Sequence, residues 1–185
     1  MRPQREFEER VLIYLMRHGI AGDSDPDRFP DDDLRPLTKK GKRRTLAVAR
    51  GMAVLRLDIE RIVTSPLVRA RQTAIIAAEA MRIAARKIVE STTLSPAAPP
   101  GDILLEMRNI SAGKANLLVG HEPHLSRLLS LLITGRVDLS QIELKKAGLV
   151  CIECPEVPVA GSGVLLFHLK PRHLVALGEA RVRSS

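Results

Sequence analysis

"LIYLMRHGIAG", residues 12–22, decides how this chain is to be read. Leu12 to Met16 are five residues suited to a strand buried on both faces, and the run breaks at once into Arg17, His18 and Gly19. An arginine and a histidine fit poorly inside such a strand, but they fit its carboxyl end. In open α/β sheets that end borders the crevice where ligands bind.

Outward from this point, apolar strand-like runs alternate with helical patterns, which predicts an α/β sandwich. The first strand is expected over 11–16, followed by a long loop over 17–37 carrying the acidic stretch "DSDPDRFPDDD". Thr38 suits the cap of a helix running to about Leu55, with Gly41, Thr45, Val48, Met52 and Leu55 on its buried stripe. A second strand over 60–64 ends at Ser65-Pro66, a pair suited to an N-cap and first helical position. The helix after it places Leu67, Ala70, Ala74, Ala77 and Met81 along one face. Beyond it the pattern predicts a short strand near 87–90, a helix near 101–110 and a buried strand over 116–120. A helix from Pro123 to about Thr134, strands over 144–153 and 164–169, and a short helix from near Arg172 complete the chain. The expected architecture is one domain over residues 1–185, a three-layer α/β/α sandwich with a mostly parallel central sheet.

Composition narrows the function classes. Of 185 residues, 45% are hydrophobic and only 2% aromatic, so Leu, Ile, Val, Ala and Met must build the core. The formal net charge of +8 favours anionic partners. No stretch reaches the roughly 18 apolar residues needed to span a bilayer. The opening "MRPQREFEER" lacks the apolar segment of a signal peptide, and two cysteines make no disulfide framework. A cytoplasmic protein with no membrane partner is expected.

Three predicted strand ends share one property. The first delivers Arg17 and His18, the second Ser65 with Arg69 one turn into the next helix, and a third His121 and Glu122. Two arginines and two histidines at such a place make an anion site, because guanidinium forks match phosphate oxygens and helix N-termini add N–H donors. A histidine among them can donate when protonated or attack when neutral.

Four blocks then carry a family resemblance. "LMRHG" at 15–19 resembles the Arg-His-Gly signature of the histidine phosphatase, or phosphoglycerate mutase-like, superfamily. "RPLTKKG" at 35–41, "VTSPLVRARQTA" at 63–74 and "VGHEPHLS" at 119–126 are similar to its small SixA-like branch of phosphohistidine phosphatases. "LKKAGLVCIE" at 144–153 and the closing "LKPRHL" resemble the tails of bacterial SixA-like proteins. The resemblance implies a phosphoglycerate mutase-like fold and makes His18 a transiently phosphorylated nucleophile. Arg17 and Arg69 would grip phosphate oxygens, and His121 would donate to them. The site would accept phosphate or sulfate and would use neither metal nor other cofactor. The motif also implies that one His18 N–H is held by the Gly19 carbonyl. Glu122 stands where the acid-phosphatase branch carries its acidic residue, so it is either a proton donor or an anion near the start of the following helix.

The expected substrate is a protein bearing phosphohistidine, such as a phosphotransfer domain. The argument is that only about thirty residues separate the Arg69 helix from the strand before His121, too few for a large cap. The alternative is a phosphatase or mutase for a small phosphorylated metabolite, and the competing class is a non-catalytic anion-binding protein. Nucleic acid is not expected as a partner, for no reading motif accompanies the charge. The basic cluster "KKGKRR" at 39–44 is either a solvated face or a docking surface for an acidic protein. Arg71 and His124 are expected on helix surfaces, and the 23–33 loop beside the site either screens substrates or is merely solvated. Cys151, Cys154, His168 and His173 mimic zinc-finger spacing, but His168 falls in a strand pattern and Pro171 interrupts any helix to His173. The sequence leaves the oligomeric state open.

Overall fold

The first apolar run is a strand, β1 (Arg10–Arg17), and it lies well inside the sheet. The computed structural model describes residues 10–23, 25, 27–110 and 115–183, with side chains left aside at 108–110 and 181–183. The opening segment read above for targeting signals therefore falls outside the described residues, except for its last residue.

After β1 come α1 (Lys39–Val54), β2 (Arg61–Thr64), α2 (Val68–Met81), β3 (Ile88–Glu90) and α3 (Asp102–Ile110). The second half comprises β4 (Ala115–Gly120), α4 (His124–Thr134), β5 (Leu149–Pro155), β6 (Val164–Leu169) and α5 (Pro171–Arg183). The strands form one sheet in the order β3-β2-β4-β1-β5-β6. β3, β2, β4 and β1 pair in parallel, while β5 runs antiparallel to both β1 and β6. The mostly parallel three-layer sandwich expected from the sequence is the fold.

Alternation along the strands separates two cores. Tyr14, Met16, Ile62, Leu117 and Val119 point to the side where α1, α2 and α5 pack. Ile13, Leu15, Val63 and Leu118 point to the other, against α3 and α4. β1 and β4 are buried along nearly their whole length, as a strand covered on both faces requires.

Two close approaches fix α1. A Cβ on Gly41 would stand 1.9 Å from the Ile20 carbonyl oxygen, so only glycine lets the first turn of α1 press against the chain leaving β1. Thr38 caps that turn by accepting the Gly41 N–H at 2.9 Å. Near its other end α1 meets α5 backbone to backbone: a Cβ on Gly51 would lie 2.0 Å from the Leu174 carbonyl oxygen, and one on Gly178 would lie 2.8 Å from that of Ala47.

Several boundaries depart from the sequence reading. α2 starts at Val68 and not at Pro66, with Leu67 in the cap position, so Ser65 lies two residues too early to cap it; its hydroxyl accepts the Leu67 N–H and also meets His121. β5 starts at Leu149, five residues later than expected, because residues 144–148 form a turn with Ala147 at φ 62°. His124 is buried rather than on a helix surface. It shares the inward stripe of α4 with Leu125, Leu128, Leu129 and Leu132. Cys151 and Cys154 lie three apart on one strand and face opposite cores, so they cannot hold one ion between them. Among the described residues no helix is long and apolar enough to cross a membrane.

Candidate active site

Because β1, β2 and β4 are parallel and adjacent, their carboxyl ends meet on one edge. The ladder extends a residue beyond the strands: the His18 N–H donates to the Gly120 carbonyl and the Ser65 N–H to that of Val119, both at 3.0 Å. Backbone pairing therefore places His18, Ser65 and His121 side by side. The rings of His18 and His121 have centroids 5.0 Å apart, and Arg17 and Arg69 join them from the end of β1 and the first turn of α2.

His18 is set up as a nucleophile. Its Nδ1 lies 2.7 Å from the Gly19 carbonyl oxygen, which can only accept, so Nδ1 carries the proton and Nε2 keeps its lone pair. This is the bond that the motif implied. Burial pushes the His18 pKa down to about 4 against the partial support of the Gly19 carbonyl, and Arg69, Arg17 and Lys146 lower it further. At neutral pH the ring is uncharged and able to attack. Gly19 is needed here, since a Cβ would meet Thr45 Oγ1 at 2.3 Å. Its N–H donates at 3.0 Å to Thr73 Oγ1, whose own proton goes to the Arg69 carbonyl at 2.8 Å. The nucleophile's loop and the α2 turn that carries Arg69 are thereby tied together.

His121 is equally buried, and burial, with His18, Arg69 and His124 nearby, holds its pKa down to about 3. Its Nε2 lies 2.9 Å from Ser65 Oγ. That oxygen also accepts the Leu67 N–H at 3.3 Å. Nδ1 is buried and has no hydrogen-bond partner among the described residues, and the same is true of Arg17 Nε and Arg69 Nε. Two buried guanidinium donors without acceptors, together with a second unpartnered imidazole nitrogen, suit an anionic ligand with several oxygens.

The arginines are positioned by different means. Arg69 Nη1 donates to the Asp32 carbonyl at 2.7 Å, and its Nη2 lies 3.0 Å from Asp32 Oδ2. Asp32 also takes Arg35 Nε at 2.7 Å. The acidic loop thus reaches the site itself, through a residue that the sequence reading did not single out. Arg17 Nη1 donates at 3.0 Å to the carbonyl of Leu144, whose N–H donates at 3.0 Å to Glu122 Oε1. The other Glu122 oxygen accepts the Ser126 hydroxyl. The structure therefore brings His18, Arg17, Arg69 and His121 together, and it places Glu122 behind Arg17, gripping the turn that holds it. Arg71 faces solvent as expected and pairs with Glu90 at 2.8 Å.

The model of the histidine phosphatase superfamily (branch 1) matches residues 13–91. An uncharacterised protein of Picosynechococcus sp. (strain PCC 7002) is 38% identical over 140 residues, 75% of this chain and 82% of that one. The chain belongs to the histidine phosphatase superfamily. Among solved histidine phosphatase folds, the protein histidine phosphatase SixA complexed with tungstate superposes with a TM-score of 0.77. It shares 21% identity, with 89% of this chain and 99% of that one covered. A phosphoserine phosphatase mutant from Entamoeba histolytica, bound to phosphoserine, follows with a TM-score of 0.62 and 16% identity, covering 89% and 99% of the two chains. Membership makes this chain a phosphatase of the superfamily, and at these identities the solved structures establish its fold.

Proposed function

We propose that this protein removes phosphate from phosphohistidine on a protein, through a phosphohistidine intermediate at His18. The observation that carries the reaction is the neutral His18 ring with Nε2 free, in a site where Arg17 Nε, Arg69 Nε and His121 Nδ1 have no partner among the described residues. Nε2 attacks phosphorus in line, forming an N–P bond as the bond from phosphorus to the substrate imidazole breaks. The released electron pair stays on that nitrogen, which takes a proton from solvent. Arg17, Arg69 and His121 hold the equatorial oxygens as their charge redistributes. Water then attacks phosphorus, the N–P bond breaks, and His18 regains its lone pair as inorganic phosphate leaves.

The protein substrate is supported by access. Between α2 and β4 the described residues form only β3, two short 3-10 turns and α3, and α3 packs into the core on the α4 side. None of these is long enough to make a large cap over the catalytic edge, which favours a phosphorylated side chain carried on a protein surface. The likeness to SixA points the same way. The test is phosphate release from a histidine-phosphorylated phosphotransfer domain, beside a panel of small phosphoesters, by wild type and His18→Ala. Release from the protein alone, abolished in the variant, is the expected result. Turnover confined to a small phosphoester would move the substrate to a metabolite and keep the mechanism.

A further inference from the structure

A second cationic feature lies beside the catalytic one. A groove of about 440 Å³ opens next to Arg17 and is lined by Arg17, Arg44, Lys145, Lys146, Lys170 and Arg172. These side chains come from four places in the chain: the end of β1, the second turn of α1, the 144–148 turn, and the junction of β6 with α5. All but Arg17 are exposed. Like charges brought together by distant segments repel one another, and an anion seated among them would offset that repulsion.

The local chemistry sharpens this. Lys170 precedes the first residue of α5 and Arg172 follows it, while Lys39, Lys40, Lys42, Arg43 and Arg44 crowd the start of α1. Neither helix has an acidic residue in its first turn, although the N-terminal dipole favours one. Both helices thus present positive dipole ends reinforced by cations. Glu143, outside the lining, lies 2.7 Å from Lys145 Nζ and 3.7 Å from Arg17 Nη1. Arg44, Lys146 and Lys170 form no ion pair among the described residues. Lys146 is near enough to His18 to disfavour its protonation, which places the groove and the catalytic pocket in one electrostatic field.

We infer that this groove docks an acidic stretch of polypeptide flanking the phosphorylated side chain of the substrate, an assignment that rests on the proposed protein substrate. A second phosphate group fits less well. The catalytic pocket shows how this protein builds for phosphate, with buried guanidiniums held by carbonyl and carboxylate partners. The groove instead carries long, solvated side chains spread along an open trough, with Ile20 and Pro171 between them. Carboxylates on alternate residues of an extended chain, about 7 Å apart, would meet such cations in succession.

The test uses paired peptides, each with one phosphohistidine, followed by glutamates in one and by glutamines in the other. Wild type is compared with the Arg44→Gln/Lys170→Gln/Arg172→Gln variant, and para-nitrophenyl phosphate reports on the catalytic pocket of both. The expected result is a KM about tenfold lower for the glutamate peptide. That preference is lost in the variant, with turnover of the small ester unchanged. Equal use of both peptides by wild type, or a preference that survives in the variant, overturns the assignment. Fluorescence anisotropy with a dye-labelled glutamate peptide lacking phosphate reads the groove without catalysis. Binding lost in the variant sustains the groove even if no phosphohistidine is turned over, which would count against the proposed reaction alone. A DNA duplex or pyrophosphate that binds the groove more tightly than the peptide overturns the choice of a protein partner.

Discussion

Asp32 and Arg69 meet at the edge of the proposed phosphate site. Asp32 gives Arg69 two oxygens of different kinds, a carbonyl that orients the guanidinium and a carboxylate that also neutralises it. Asp32→Asn keeps the carbonyl and removes the charge. Competitive inhibition by inorganic phosphate should then tighten about threefold, and weaker inhibition would show that the carboxylate's orienting role dominates. Glu122 can be separated from a proton donor in a similar way. As the holder of Leu144, and through it Arg17, it should act on all substrates alike. Glu122→Gln is expected to lower kcat/KM several-fold by the same factor across phosphoesters of differing leaving-group basicity. A defect that grows with basicity would instead mark a lost general acid. The two histidines set the pH behaviour. Phosphorylation of His18 should stay rapid down to about pH 4, where its free ring protonates, and an acid limb near 6.5 would contradict the buried neutral state. Folding follows the same sign. With folded-state values near 4 and 3, the unfolded chain binds more protons below about 6.5, so stability is full above that pH and falls toward pH 3. Urea midpoints measured from pH 7 to pH 4 would show it.

At the scale of elements, the sheet does most of the positioning, and that part could be read from the sequence. A buried strand that ends in Arg17-His18 and another that ends in His121 must meet if they are parallel neighbours; the apolar runs mark both as buried strands, and the β1–β4 ladder makes them neighbours. The departures arose where tertiary contact overrules local pattern. Ser65 looks like a helix cap, but its hydroxyl serves His121. Residues 144–148 look like strand, but they turn so that the Ala147 N–H reaches the Arg17 and His18 carbonyls at 3.0 and 3.2 Å. Asp32 carried no periodic signal, since the loop's return to α2 depends on the folded whole. His124 did carry one, four residues before Leu128 on an apolar stripe. The joint between β1 and α1 can be tested directly. Gly41→Ala should cost about 1–3 kcal/mol by denaturant unfolding, because the opposing atom is a backbone carbonyl with no rotamer to yield.

Across the whole molecule, the net charge of +8 has one concentration at the catalytic edge and its neighbouring groove. Association with an acidic protein should slow steeply with added salt, while hydrolysis of a small neutral-bodied ester should change little, and stopped-flow binding across a salt series would separate the two. The contact of α1 with α5 bears on this through geometry. With Gly51 against Leu174 and Gly178 against Ala47, the two helices touch backbone to backbone at these two points. Arg44 stands on one of those helices and Lys170 and Arg172 at the head of the other. The separation between the two banks of charge is therefore a gauge cut into the backbone. The acidic segment inferred above would meet two banks whose stems start from that fixed separation, with only the long side chains free to adjust.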